Sequence, residues 1–137
     1  MSFNLDPKLE ADSEFVCDLK LSQVRLIKNA AFPWILLIPR QNDMVEITDL
    51  SVSDQEELLR EIRQAMNLFK EVFSPKKLNV ANLGNVVAQL HVHVIARFET
   101  DKAWPGPVWN SGVKEDYTAA SMQERIDMLR ERFTGKK

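Results

Sequence analysis

The chain has 137 residues, 45% hydrophobic and 28% charged, which is enough for a buried core without disulfides or a structural metal. Its 18 basic and 20 acidic residues leave a formal net charge of −2 and form no basic block. That balance argues against nucleic acid as a partner, while a small phosphorylated ligand needs only a few well-aimed donors. The one cysteine, Cys17, reads as a small core residue and fits a reducing compartment. Met1 to Leu5 lack the basic-then-apolar order of a signal peptide. The longest apolar stretch, Ala30 to Ile38, is broken by Pro33 and too short to span a bilayer, so a cytoplasmic protein with no membrane partner is expected.

In chain order, Asp6-Pro7 reads as an N-cap and first-turn proline, opening a short helix that Ser13 or Glu14 ends. Glu14 to Lys20 and Ser22 to Lys28 are strand candidates, the second with Val24 and Leu26 on an apolar face. Trp34 to Ile38, stopped by Pro39-Arg40, predicts a central strand covered on both sides. Ser53 and Glu56 form a capping box before a long amphipathic helix. Its stripe is Leu58, Leu59, Ile62, Ala65, Met66, Phe69, Val72 and Phe73, with Glu57, Arg60, Glu61, Arg63, Gln64 and Lys70 facing away and Ser74-Pro75 at its end.

A strand over Leu78 to Asn82, a turn at Leu83-Gly84-Asn85 and a long strand from Val86 to Arg97 follow. Trp104 to Trp109, with two prolines and a glycine, predicts a loop. Met122, Ile126, Leu129 and Phe133 mark a second amphipathic helix, with Ser121-x-x-Glu124 as its capping box. About five strands and two main helices make an α+β domain with a mainly antiparallel sheet.

The chain contains two histidines, and they are two residues apart. On a strand, Gln89, His91 and His93 share one face at steps of about 7 Å, while Leu90, Val92 and Val94 point into the core. A neutral imidazole offers one free lone pair near neutral pH. If one ring nitrogen donates to a carbonyl, the other is left as a nucleophile. A second histidine alongside can hold a proton for a leaving group or a phosphoryl oxygen. Two blander readings exist. The pair is spaced to bind a divalent metal, but a third ligand is missing: Gln89 is a poor one, and Glu99 and Asp101 lie beyond the strand. A solvated strand face without function would leave the pairing of the only histidines unexplained.

Gln89-Leu90-His91-Val92-His93-Val94-Ile95 resembles the signature of the histidine-triad superfamily, three histidines alternating with apolar residues and followed by two more. The resemblance takes in Leu26 to Pro39, the long helix from Ser53, the Asn82-x-Gly84 turn and the hairpin into the motif. It covers roughly residues 2 to 105 of one expected domain over 1–137, with 106–137 as a C-terminal loop and helix extension. It implies an antiparallel sheet with two helices, a homodimer, and no cofactor or metal. It also implies a middle histidine that attacks the α-phosphate of a nucleotide, forming a nucleotidyl-histidine that water hydrolyses. By position, His91 would be the nucleophile, His93 the residue assisting at the phosphate and leaving group, and Gln89 the first triad position. Asn29 falls toward the ribose, Asn82 near the phosphate or leaving group, and Asn85 beside it; each is also an ordinary turn residue. The aromatic segment Asp101 to Trp109 resembles the tail after the motif strand, where Trp104 and Trp109 would close over a base or a partner subunit, or anchor a loop.

The implied activity is hydrolysis of nucleoside phosphoramidates or dinucleoside polyphosphates. The chain departs from the pattern at Gln89, which cannot exchange a proton, and at Val86, where many relatives carry a hydroxyl. Those departures define the alternative, a non-catalytic nucleotide-binding or sensing module.

Overall fold

The computed structural model describes residues 2–136, so Met1 and Lys137, the ends of the expected unit, lie outside the described residues. The elements run α1 (Pro7–Asp12), β1 (Ser13–Asp18), β2 (Ser22–Ile27), β3 (Trp34–Pro39), a single 3-10 turn (Ile47–Asp49), α2 (Val52–Phe73), β4 (Lys77–Ala81), β5 (Val92–Arg97) and α3 (Ala119–Thr134). The five strands form one antiparallel sheet in the order β1-β2-β3-β5-β4. The apolar run beginning at Trp34 is the central strand, buried along its whole length as a strand covered on both faces must be. This is the α+β architecture expected from the sequence.

One sheet face carries Val16, Val24, Leu26, Ile35, Leu37, Val92, Val94 and Ala96 against α2 and α3. The Ile126, Leu129 and Phe133 stripe of α3 belongs to this core, and Arg130 Nε donates to the Val16 carbonyl at 2.7 Å, so the helix has an intrachain role. Cys17 is buried in the same cluster, where burial first, and Asp18 second, push its thiol up to about 11. A thiol so far above neutrality is a packing group and a poor nucleophile. The opposite face is covered by smaller elements. Leu9 of α1 and the preceding Phe3 and Leu5 pack on Leu36 and Ile38, and Phe32 and Val108 pack on Trp34 and Ile95.

Four local expectations are corrected. The strand into the motif starts at Val92, not at Val86. β4 pairs with β5 only as far as Ala81 opposite His93, so residues 86–91 have no ladder partner on that side. Their backbone is held otherwise: Leu90 N–H donates to the Met44 carbonyl at 2.9 Å, and Asn82 Nδ2 donates to the His91 carbonyl at 3.0 Å. The turn before them needs Gly84, whose φ of 83° is the left-handed region. The long helix is capped by Ser51, whose side chain accepts from Asp54 N–H, and not by Ser53. Buried Leu50 pins the chain there, and the helix starts directly after it. Similarly, α3 is capped by Thr118, with Ser121 as the reciprocal partner, so Ser121-x-x-Glu124 is not its box.

The fourth correction concerns the stripe of α2. Leu59 is 59% exposed, whereas Glu61, expected to face away, is 2% exposed. Glu61 accepts from Leu21 N–H at 2.8 Å and Ser22 N–H at 3.0 Å, closing the turn between β1 and β2 from the helix side. Burial raises its pKa, with the two N–H donors acting the other way. Glu61→Leu strands both donors in the core. The expected cost is about 3 kcal/mol in urea unfolding, with Glu61→Gln milder because one acceptor remains.

Candidate functional site

On the face opposite α2 and α3 lies a cavity of about 640 Å³, walled by α1, the end of β2, the start of β3, the Leu83–Val87 turn and the segment around Trp109. His91 and His93 both line it, their ring centroids 5.1 Å apart. Both are nearly buried, at 6% and 7% exposure.

His91 sits one residue before β5. Its Nδ1 lies 2.7 Å from the Gln89 carbonyl. A carbonyl only accepts, so Nδ1 carries a proton, and in the neutral ring the lone pair is on Nε2. Asn82 fixes the same residue from the other end through its bond to the His91 carbonyl. Ring and backbone are both tied by contacts local to the hairpin, the kind of rigid presentation that attack on a fixed point requires.

His93 is held differently. Trp34 Nε1–H donates to its Nδ1 at 2.9 Å, and Trp109 stands edge-on against it at 5.1 Å between centroids. Burial first, and the neighbouring His91 second, push its pKa down from 6.5 to about 3. In the unfolded chain the ring binds a proton below about 6.5, whereas in the fold it does so only near 3. The unfolded state thus holds more protons between those values, and stability falls as pH drops through that window. His93→Gln keeps an acceptor for Trp34 but cannot titrate. Urea midpoints measured between pH 7 and pH 4 are expected to decline less steeply in that variant.

The remaining expected residues divide. Gln89 is outside the cavity lining: its Oε1 accepts from Asp6 N–H at 2.8 Å and its Nε2 donates to the Asn4 carbonyl at 2.9 Å, tying the N-terminal segment to the motif. What reaches His91 from position 89 is the backbone carbonyl, which any residue supplies. Asn29 lines the cavity, yet its Oδ1 already accepts from Ala31 and Glu115 N–H and its Nδ2 donates to the Val113 carbonyl. One Nδ2 hydrogen is left for a ligand. Asn82 acts on the His91 backbone and is not in the lining; Asn85 stands exposed at the rim.

Two tryptophans complete the site. Trp34 reads in the sequence as a core strand residue, and no local signal distinguishes it. Trp109 lines the cavity, whereas Trp104 packs under the Arg97 guanidinium and anchors the loop. Arg97 and Asp101, 2% and 5% exposed at their side chains, form a two-pronged ion pair at 2.9 and 3.0 Å behind that loop. Burial alone would raise Asp101, but the guanidinium and the Phe98 and Ala103 N–H groups outweigh it and hold the carboxyl below its usual range. Among the described residues, no group of three His, Cys, Asp or Glu side chains comes together as a metal site. No helix among them is long and apolar enough to cross a membrane.

Comparison with known proteins adds a relationship. The HIT domain family model matches residues 8–100. A histidine triad protein structure from Bradyrhizobium japonicum is 43% identical, with a TM-score of 0.93 over 96% of this chain and 98% of that one. A histidine triad (HIT) protein from Sinorhizobium meliloti is 37% identical, with a TM-score of 0.87 over 98% and 97% of the two chains. A histidine triad protein from Marinobacter aquaeolei is 35% identical, also at 0.87, over 98% and 96%. No curated protein sequence matches the chain.

Proposed function

Because the chain belongs to the HIT domain family, whose members are generally nucleotide-binding hydrolases, we propose that it hydrolyses a nucleotide derivative at the α-phosphorus through His91. The observation that carries this reading is the His91 ring, bordering the cavity with its proton committed to the Gln89 carbonyl and its Nε2 lone pair free. In the first step that lone pair forms an N–P bond, and the bond from phosphorus to the leaving group breaks with its electron pair leaving on that group. In the second step a water oxygen attacks phosphorus, its proton passes to solvent, and the N–P electron pair returns to Nε2. His93 assists at the phosphate and leaving group.

Substrates of the proposed class are nucleoside phosphoramidates and dinucleoside polyphosphates. Lys8, Lys28 and Lys114 line the cavity, paired with Asp12, Glu14 and Asp116 respectively, and each is exposed enough to turn to an anionic ligand instead. Base and ribose are assigned to the pocket between Asn29 and Trp109, and Asn85 to the rim. Asn82 acts by holding His91, and Gln89 takes the first triad position through its carbonyl. The reading includes a homodimer, supported by the open edge of β4 with Val80 and Leu83 exposed beside it. It also includes a cytoplasmic location, consistent with a nucleotide substrate and a single buried cysteine.

The experiment is release of the nucleoside monophosphate from adenosine phosphoramidate and from a diadenosine polyphosphate by the purified chain. Release of monophosphate from either substrate supports the reading. Nucleotide binding without release from either would establish the alternative, a binding module. Two observations favour that alternative: Val86 brings no hydroxyl to the cavity mouth, and the Gln89 amide is spent on residues 4 and 6.

A further inference from the structure

Trp34 opens β3 and has an indole N–H that reaches His93 Nδ1. An indole nitrogen donates and never accepts, so Nδ1 must present a lone pair. A ring whose Nδ1 accepts is neutral and carries its one proton on Nε2. We infer that Trp34 is a positioning residue that holds His93 as a neutral ring, whose Nε2–H is offered to a phosphoryl oxygen as a hydrogen bond and is not given up. This rests on the hydrolase reading above and goes beyond it in saying what His93 does and which leaving groups the site favours.

Losing the Nε2 proton would turn the ring into an imidazolate, because Nδ1 cannot be reprotonated while the indole occupies it. Protonating Nδ1 to make a cation would set two N–H groups against each other across 2.9 Å. Burial works in the same direction, as does His91, the titratable side chain in ring contact from the same hairpin. Lys8 and Asp12 of α1, Lys28 beyond β2 and Lys114 line the same cavity, but the three lysines pair with Asp12, Glu14 and Asp116, so they leave no net charge that decides the state of His93. Arg97, further along the strand, is neutralised by Asp101. A neutral imidazole used as a hydrogen-bond donor is an established catalytic device.

The leaving group feels the consequence. An anhydride cleaved at the α-phosphorus releases a phosphate anion, which needs no proton. A phosphoramidate releases an amine, which must gain one as the P–N bond breaks, and with no acid at His93 that proton comes from water. The site therefore favours anhydrides over phosphoramidates.

The test is a long-range 1H–15N spectrum of the imidazole nitrogens in the intact chain, wild type and Trp34→Phe, which keeps a ring and removes the donor. In wild type, His93 is expected to keep a bare Nδ1 and a protonated Nε2 down to about pH 5. In the variant, its tautomers mix and its titration moves up only in part, because burial and His91 continue to disfavour the cation. The ratio of turnover on a diadenosine polyphosphate to that on adenosine phosphoramidate is expected to fall about tenfold. A wild-type proton on Nδ1, or a His93 cation near neutral pH, overturns the inference whatever the turnover; so does an unchanged ratio in a folded variant. The expected spectrum in a protein that hydrolyses neither substrate would fell the hydrolase reading and still support the hold of Trp34 on His93. The decisive spectrum is that of wild type, so a variant that fails to fold leaves the test intact.

Discussion

His91→Ala is expected to lower turnover on a nucleotide derivative by about a thousandfold or more, with nucleotide binding and the unfolding midpoint nearly unchanged. Removing a covalent nucleophile eliminates the two-step route, and what remains is binding and electrostatic help from the cavity. The fold should survive, because the one hydrogen bond of the His91 side chain goes to a carbonyl two residues away, and its ring otherwise meets His93 at the cavity wall. Water entering the space vacated by the ring can satisfy that carbonyl. Denaturing quench without acid, using substrate labelled at the α-phosphorus, should trap label on wild type and none on the variant. Turnover unaffected in a folded His91→Ala protein would exclude the mechanism. A parallel loss of binding and stability would instead mean that the variant perturbs the fold.

Asp101→Ala is expected to destabilise the protein by about 3–5 kcal/mol, read as a lower urea midpoint. The carboxylate accepts from Arg97 Nε and Nη2 and from three backbone N–H groups, those of Phe98, Ala103 and Trp104. Its removal leaves a guanidinium buried at 2% exposure without its counter-charge. Arg97 would keep as hydrogen bonds only those to Asn79 Oδ1 and the Gly106 carbonyl, at 3.0 and 2.8 Å, beside its stacking on Phe32 and Trp104. Because most of the cost is the orphaned charge, Arg97→Met combined with Asp101→Ala should be less destabilised than Asp101→Ala alone. An additive double variant would show that the two side chains act independently. The effect should reach the site, because the loop this pair secures continues into Val108 and Trp109, which pack on Trp34 and His93. Turnover in Asp101→Ala should therefore fall even under conditions where the protein remains folded.

Much of this molecule is written in short-range patterns. Asp6-Pro7 starts a helix, the run from Trp34 is the central strand, Ser74-Pro75 ends the long helix, and Gly84 makes a turn. Each depends on a few consecutive residues: a φ that glycine adopts without strain, a ring that removes a donor, a period of two or of three to four. The meeting of His91 and His93 was legible for the same reason, since two steps along an extended chain return to one side. What was not legible involves partners far apart in the chain. Glu61 sits on a helix face that looks solvent-facing, and it is buried because two N–H groups 39 and 40 residues earlier need an acceptor. The Gln89 amide turns to residues 83 and 85 positions away, and Trp34 meets His93 across 59. The true length of β5 depended on where β4 stopped pairing with it. Sequence by itself determined the elements and the histidine pair, because local sterics and hydrophobic period act within a turn or a strand. Only the tertiary structure decided which nitrogen of His93 carries the proton, because the donor that fixes it, Trp34, is brought within hydrogen-bonding distance by the packed sheet from 59 residues away.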